Sequence, residues 1–278
     1  MIGLAAIERL LAEDVPSGDL TTTALGIGDR PARMAFRARD GMVPAGLDIA
    51  ARLVAAAGGT AELHGRDGAP AASGDLLLTA TGSAGALHRT WKSAQTLVEI
   101  ASGIASATAA VARAAAAVDP KVRVACTRKT VPGARVLSQL AVRAGGGILH
   151  RHGLSETILV FAEHRAFLPD LDLAGLAARL RAAEPEKTIA VEVHDVDAAI
   201  AAAAAGFDTV QLEKFAPEAV AAVAAAYAGL PRAPLIAATG GISPDNAAAY
   251  VAAGAGLLVT SWPYTARPRD VAVTLGPA

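Results

Sequence analysis

The stretch TIAVEVHDVDAAIAAAAAGFDTVQLEKF, Thr188 to Phe215, sets two short β-branched runs on either side of an alanine-rich segment of helical length. TIAVEV and TVQL are near-continuous in apolar side chains, as strands covered on both faces are, and Asp195 to Ala205 between them reads as a covering helix. Strand, helix and strand in that order make a parallel pair. Outward from here the same texture begins near Gly103 and repeats. VRVACT (Val122–Thr127), TILVF (Thr157–Phe161), LIAAT (Leu235–Thr239) and LLVTS (Leu257–Ser261) bring the runs to six, with a further helix over Pro217 to Ala228. Six runs in one series favour a closed or nearly closed α/β barrel of mostly parallel strands. An open doubly wound sheet is the alternative, because periodicity does not establish closure.

The first third of the chain has another rhythm. Ile2 to Asp14 carries apolar residues at helical spacing, and PSGDLTT then breaks the helix with Pro16 and Gly18. Ala32 to Ala45 reads as extended and alternating, Asp48 to Ala57 as helix, and Ala61–His64 and Leu76–Thr81 as strands. Strands and helices mixed without βαβ units predict a small α/β sandwich. The expected division is therefore a sandwich over residues 1–103, joined by the tail 265–278, and a barrel over 104–264. The clusters AAVARAAAAV and AAIAAAAAGF read as closely packed helices, alanine having the best helix propensity.

At 278 residues the chain can bury a sizeable core, and 25 Lys+Arg against 26 Asp+Glu leave a formal net charge of -1. No global field attracts nucleic acid or an anionic membrane, so any anion specificity must be local. The single cysteine, Cys126, excludes an internal disulfide framework and a cysteine-rich zinc site, and reads as a small apolar filler on a strand. Glu8, Arg9, Glu13 and Asp14 interrupt the N-terminal segment where a signal peptide needs an apolar run. No window approaches the roughly 20 apolar residues of a membrane span. A soluble cytoplasmic protein is expected, without nucleic-acid partners or membrane insertion.

Active sites of α/β barrels form at the carboxyl ends of the strands. That rule selects Arg128 and Lys129 after VRVAC, Glu192 within TIAVEV, Glu213 and Lys214 after TVQL, Thr239, Gly240 and Gly241 at the end of LIAAT, and Ser261 after LLVT. Two acids on neighbouring strands suit magnesium, a hard cation that takes carboxylates and phosphate oxygens. Arg128 and Lys129 suit phosphate or carboxylate groups. TGGISP, with Ser243-Pro244 at an expected helix start, suits backbone N–H contacts to a phosphate. Each feature also has a plainer reading: a structural ion pair for Glu192, a solvated loop pair for Glu213-Lys214, a simple turn for TGG, and helix capping or an interface for Arg128-Lys129. Their convergence on one rim favours the site. GGGILHRHG adds His150 and Arg151 as further cationic contacts, whereas His152 and His164 complete no familiar zinc spacing.

TRKTVPGAR, AVRAGGGILHRHGL and the earlier EDVPSGDLTT resemble quinolinate phosphoribosyltransferase, also called nicotinate-nucleotide pyrophosphorylase (carboxylating). The resemblance continues through SGIAS, VEV, QLEKF and TGGIS and so covers nearly the whole chain. WKSAQ, CTRK, ILVFAEH and VTSWPY look like its ModD-type branch, encoded with molybdate transport genes. The resemblance implies the sandwich and barrel, a homodimer, and a reaction joining 5-phosphoribosyl 1-pyrophosphate to a pyridine dicarboxylate with release of pyrophosphate and carbon dioxide; the alanine-rich surfaces would permit a higher homo-oligomer. By the same resemblance Arg128, His150 and Arg151 would contact the acidic substrate, and Lys129 would lie near the reacting groups. Glu192 and Glu213 would hold magnesium and the donor, with Gly240 and Gly241 at its 5-phosphate.

Three departures from the family pattern bear on substrate. Lys92 stands where the family has an arginine reaching the partner subunit's substrate, and the two cations are not interchangeable at a bidentate contact. Phe161 stands where it has a lysine. Glu213-Lys214 and Ser261-Trp262 replace Asp-Asn and Gly-Ala pairs. The expected function is magnesium-dependent phosphoribosyl transfer to an aromatic, pyridine-like carboxylic acid that is not, or not efficiently, quinolinate. A true quinolinate phosphoribosyltransferase making nicotinate mononucleotide, and a non-catalytic oxyanion or nucleotide binder linked to molybdenum transport, are the alternatives.

Overall fold

The structure, a computed structural model, describes residues 3–278 and falls into two compact units. The first comprises residues up to Ala109, Val131–Gly146 and Pro263–Ala278. Numbered along the chain, its strands are β1 (Pro31–Ala38), β2 (Thr60–Leu63), β3 (Leu76–Ser83) and β11 (Val271–Pro277), in the antiparallel order β11-β1-β3-β2. In β1, Ala32, Met34, Phe36 and Ala38 are buried while Arg33 and Arg37 are exposed, the period-two pattern of a sheet with one face on a core. The helices of this unit are α1 (Leu4–Asp14), α2 (Leu20–Ala24), α3 (Leu47–Ala56), the start of α4 (Ala84–Ala116) and α5 (Arg135–Ala144). Asp67 supplies the cap that α3 lacks in its own sequence, its carboxylate accepting from the N–H groups of Gly46 and Leu47 at 2.8 and 3.0 Å. The extended run expected to Ala45 ends at Ala38, after which only Met42 pairs, with Ala71.

Gly103, expected at a domain boundary, lies inside α4. It is a packing residue, since a Cβ there would stand 2.5 Å from the Arg267 carbonyl oxygen. The units divide after Ala109, and α5 belongs with the first because Leu137 and Leu140 pack against its core. α4 also departs from the expectation that no segment reaches membrane-spanning character. It is long and apolar enough, yet 67% of its apolar window is buried within the protein, as in a core helix.

The second unit, Ala110–Thr130 with Gly147–Trp262, holds the parallel sheet. Its strands are β4 (Arg123–Cys126), β5 (Ile148–Leu149), β6 (Ile158–Val160), β7 (Ile189–Val193), β8 (Thr209–Glu213), β9 (Leu235–Thr239) and β10 (Leu257–Thr260). Their order is β5-β4-β10-β9-β8-β7-β6. The last strand therefore pairs with the first, as in a barrel, and the ring is interrupted once, between β5 and β6. The short β5 was outside the six runs because two residues carry no periodicity. Helices α6 (Ala162–Arg165), α7 (Leu173–Ala183), α8 (Val196–Ala204), α9 (Pro217–Tyr227) and α10 (Ala247–Ala252) alternate with the strands. Asp172 and Asp195 cap α7 and α8 through their carboxylates, and Pro217 opens α9 at the position where a missing N–H costs nothing.

Alternation along the strands separates two faces. Ile189, Val191, Val193, Val210, Leu212, Ile236 and Leu258 join the large core shared with the helices. Ala125, Ala237 and Val259, with Ile148 and Leu257 against them, form a small separate cluster on the other, inner face. Ala190, Glu192, Thr209, Gln211 and Glu213 alternate with the core residues and share that inner face. Polar side chains stand on it toward the carboxyl ends of the strands.

Candidate active site

A cavity of about 340 Å³ opens at the carboxyl ends of β4, β8, β9 and β10. It brings together Lys129, Glu213, Lys214, Thr239, Gly240, Gly241 and Ser261, all selected above at strand ends, with Trp262 beside them. A larger cavity of about 580 Å³ lies around Asp208 at the amino end of β8. Asp208 is committed there to structure, accepting from the Ile189 N–H at 2.8 Å and from Arg181 and Arg232 at 2.9 Å each.

The glycine pair is shaped by backbone conformation. Gly240 and Gly241 have φ of 91° and 75°, left-handed values that suit residues without a Cβ. Asn246 clamps the turn, donating from Nδ2 to the Gly241 carbonyl at 2.9 Å and accepting at Oδ1 from the Ser243 N–H at 2.8 Å. Thr260 ties the same turn to β10 by donating from Oγ1 to the Ile242 carbonyl at 2.7 Å. The helix expected at Ser243-Pro244 begins instead at Ala247, because this asparagine turn takes up the intervening residues. Backbone N–H groups offered to a ligand therefore belong to the glycine turn.

Glu192 and Gln211 are register partners on β7 and β8, and Glu213 lies two residues beyond Gln211 on the same face. Desolvation raises the Glu192 carboxyl above its ordinary value; a hydrogen bond from Gln211 opposes this, and Glu213 repels it further. Gln211, 5% exposed, was missed by sequence reasoning, although a polar residue inside the apolar run TVQL was the available signal. No group of three His, Cys, Asp or Glu gathers to hold a metal among the described residues. Two mutually repelling carboxylates on adjacent strands nevertheless fit magnesium, which keeps several waters and uses one or two carboxylates together with substrate phosphates.

Arg151 is 8% exposed, makes no ion pair among the described residues, and its buried Nε has no hydrogen-bond partner. Burial, then the nearby Arg128 charge, lowers its pKa. A guanidinium so placed lacks an anion. Phe161 stands 5.9 Å from it, ring centroid to guanidinium carbon, and stacks in turn on His164 at 5.8 Å. His164 is occupied structurally, its Nδ1 accepting from the Phe161 N–H at 3.0 Å.

His150 does not supply the cation expected of it. Burial, with Arg151 beside it, pushes the imidazole down to about 4, so the ring is neutral near pH 7. Lys129 follows a turn in which its N–H donates to Thr127 Oγ1 at 3.2 Å. Lys92 belongs to the first unit, on α4, where its ammonium sits 4.3 Å from the centroid of Trp91 and donates to Gln95 Oε1 at 3.2 Å.

Residues 19–102 match the family described as quinolinate phosphoribosyl transferase, N-terminal domain, and residues 104–274 match its C-terminal domain. A Rhodobacter capsulatus protein named pyrophosphorylase ModD is 48% identical over 248 residues, 89% of this chain and 95% of the relative. Nicotinate-nucleotide pyrophosphorylase (carboxylating) of Mycobacterium leprae is 35% identical over 277 residues, 97% of this chain and 95% of that one. The crystal structure of NadC from Streptococcus pyogenes superposes with a TM-score of 0.90 at 30% identity, covering 99% of this chain and 96% of that one.

Proposed function

Because the chain belongs to the quinolinate phosphoribosyl transferase family, and is a ModD-like pyrophosphorylase of the pentosyl-transferring class, we propose that it moves phosphoribosyl from 5-phosphoribosyl 1-pyrophosphate to a pyridine-like aromatic acid other than quinolinate. The observation that carries this reading is Arg151, a buried guanidinium without an anion, set against the Phe161 ring. One carboxylate on a flat ring satisfies both residues: the acid pairs with Arg151 and Arg128, and the ring packs on Phe161. A second carboxylate directed at Phe161 would be desolvated against an aromatic wall with no ammonium to receive it.

At the other end of the site, the Gly240 and Gly241 turn and Lys129 hold the donor's phosphates. Glu192 and Glu213 would hold Mg2+, whose charge stabilises the departing pyrophosphate. The bond from ribose C1 to the pyrophosphate oxygen breaks as the acceptor's ring nitrogen takes C1. Lys129 meets the negative charge that grows on the leaving group, and the two glutamates face the positive charge that grows on the sugar. A homodimer is the assembly we infer, supported by the exposure of Leu20, Leu25, Leu154 and Phe167, between 65% and 86% each.

Pyrophosphate release tests the reading, with donor, magnesium and a panel of pyridine mono- and dicarboxylates. The expected result is turnover on a monocarboxylic acid above that on quinolinate, with Phe161→Lys shifting the preference toward quinolinate. Absence of donor binding in calorimetry, with and without magnesium, would overturn the transferase reading.

A further inference from the structure

We propose that Lys214 is a phosphate-holding cation of this site, an inference that rests on the donor reading above. Four features set it apart from a solvated surface lysine. It is the one residue other than glycine with a positive φ among the described residues, at 57°. Its N–H donates to the Thr239 carbonyl at 2.7 Å, which fixes the end of β8 to the end of β9. Its stem lies across the glycine turn, so that a Cβ on Gly240 would stand 2.6 Å from Lys214 Cγ and 3.0 Å from its backbone nitrogen. It lines the same cavity as Lys129, Gly240, Gly241 and Ser261.

The ammonium itself is uncommitted. Its side chain is 79% exposed, and the ion pair it makes, with Glu213 Oε1, is long at 4.0 Å. A left-handed backbone is ordinarily given to glycine or asparagine, which adopt it without a Cβ penalty or with local hydrogen-bonding compensation. Here it is imposed on a long cationic side chain, and the effect is to lay that side chain over an amide-bearing turn beside a second lysine. Two ammonium groups and two glycine amides at one cavity match the oxygens of a phosphoryl group. The donor carries such groups at two places, the 5-phosphate and the pyrophosphate.

Calorimetric titration of the full chain separates these cases. Wild type, Lys214→Asn and Lys214→Arg are titrated with ribose 5-phosphate and, separately, with inorganic pyrophosphate, both with magnesium at low and high salt, and melted in parallel. The expected result is a loss of roughly 10-fold to 100-fold in affinity for one ligand in Lys214→Asn, with a shallower salt dependence and most of the affinity kept in Lys214→Arg. Its Tm should be unchanged or higher, because asparagine accepts the left-handed backbone. Loss on the ribose 5-phosphate arm places Lys214 at the 5-phosphate, and loss on the pyrophosphate arm places it at the leaving group. Equal dissociation constants for wild type and Lys214→Asn with both ligands would overturn this inference alone. A wild type that binds neither would overturn it together with the donor reading.

Discussion

Gln211 donates from Nε2 to Glu192 Oε2 across the β7–β8 pair at 2.5 Å, and its own Oε1 is buried without a partner. The amide fixes the carboxylate's direction without adding charge to the inner face. Gln211→Leu removes that donor and keeps the volume, leaving Glu192 partly desolvated and free to turn. Magnesium-dependent donor binding should weaken by about tenfold, the scale of one hydrogen bond to a charged group. Titration with 5-phosphoribosyl 1-pyrophosphate, with and without magnesium, measures it; an unchanged magnesium increment would show that Glu192 needs no such support.

Gly240→Ala tests the crossing of the two turns. The new methyl would stand 2.6 Å from Lys214 Cγ and 3.3 Å from Glu213 Oε1, at a φ of 91° that alanine adopts only under strain. Overpacking and left-handed strain together should cost about 1–3 kcal/mol of stability. Donor binding should fall as well, since both displaced side chains line the cavity. Denaturant unfolding and donor titration read the two effects separately, and a variant with wild-type donor affinity would mean that the turn does not shape the site.

Much of this was legible in the sequence, for physical reasons that also mark where legibility ended. The β-branched runs from β6 to β10 announce themselves because both faces of a parallel sheet are covered, and the site residues announce themselves as charges at the ends of those runs. Periodicity favours a nearly closed barrel without establishing it, because the pairing that curls the sheet round, β10 with β4, joins the last strand to the first across more than a hundred residues, and the two-residue β5 carries no pattern at all. The change of texture at Gly103 falls between the two family-domain spans, 19–102 and 104–274, but that α4 runs through it unbroken, with Gly103 admitting the Arg267 backbone, is a tertiary fact. His150 misled in charge, since burial decides protonation and burial is tertiary. Lys214 looked like half of a surface pair until its φ was known.

The GGG block separates two uses of glycine. At Gly145 a Cβ would lie 2.4 Å from the Ala105 carbonyl oxygen and 2.6 Å from Thr108 Cβ, so α5 ends pressed against α4. At Gly146, where φ is 80°, a Cβ would meet nothing within 4 Å. Gly145→Ala should therefore lower stability by about 1–3 kcal/mol through overpacking. Gly146→Ala should cost about 1 kcal/mol, from backbone strain alone. Thermal melts of the two variants rank them, and a larger loss at Gly146 would contradict the packing described.

Acid should find the protein through His150. Its folded pKa is about 4 against the ordinary 6.5, lowered first by burial and then by Arg151. Between those values the unfolded chain binds a proton that the folded one refuses, so unfolding gains as pH falls. The contribution to stability is fully present above 6.5 and is lost as pH falls through about 4, at no more than about 1.4 kcal/mol per pH unit. His150→Gln removes the titration while keeping a polar side chain of similar reach. Urea unfolding at about pH 7 and about pH 5 should show a smaller loss on acidification in the variant than in wild type. Equal losses would mean that the ring protonates in the folded state after all, and Arg151 would then share its pocket with a second cation.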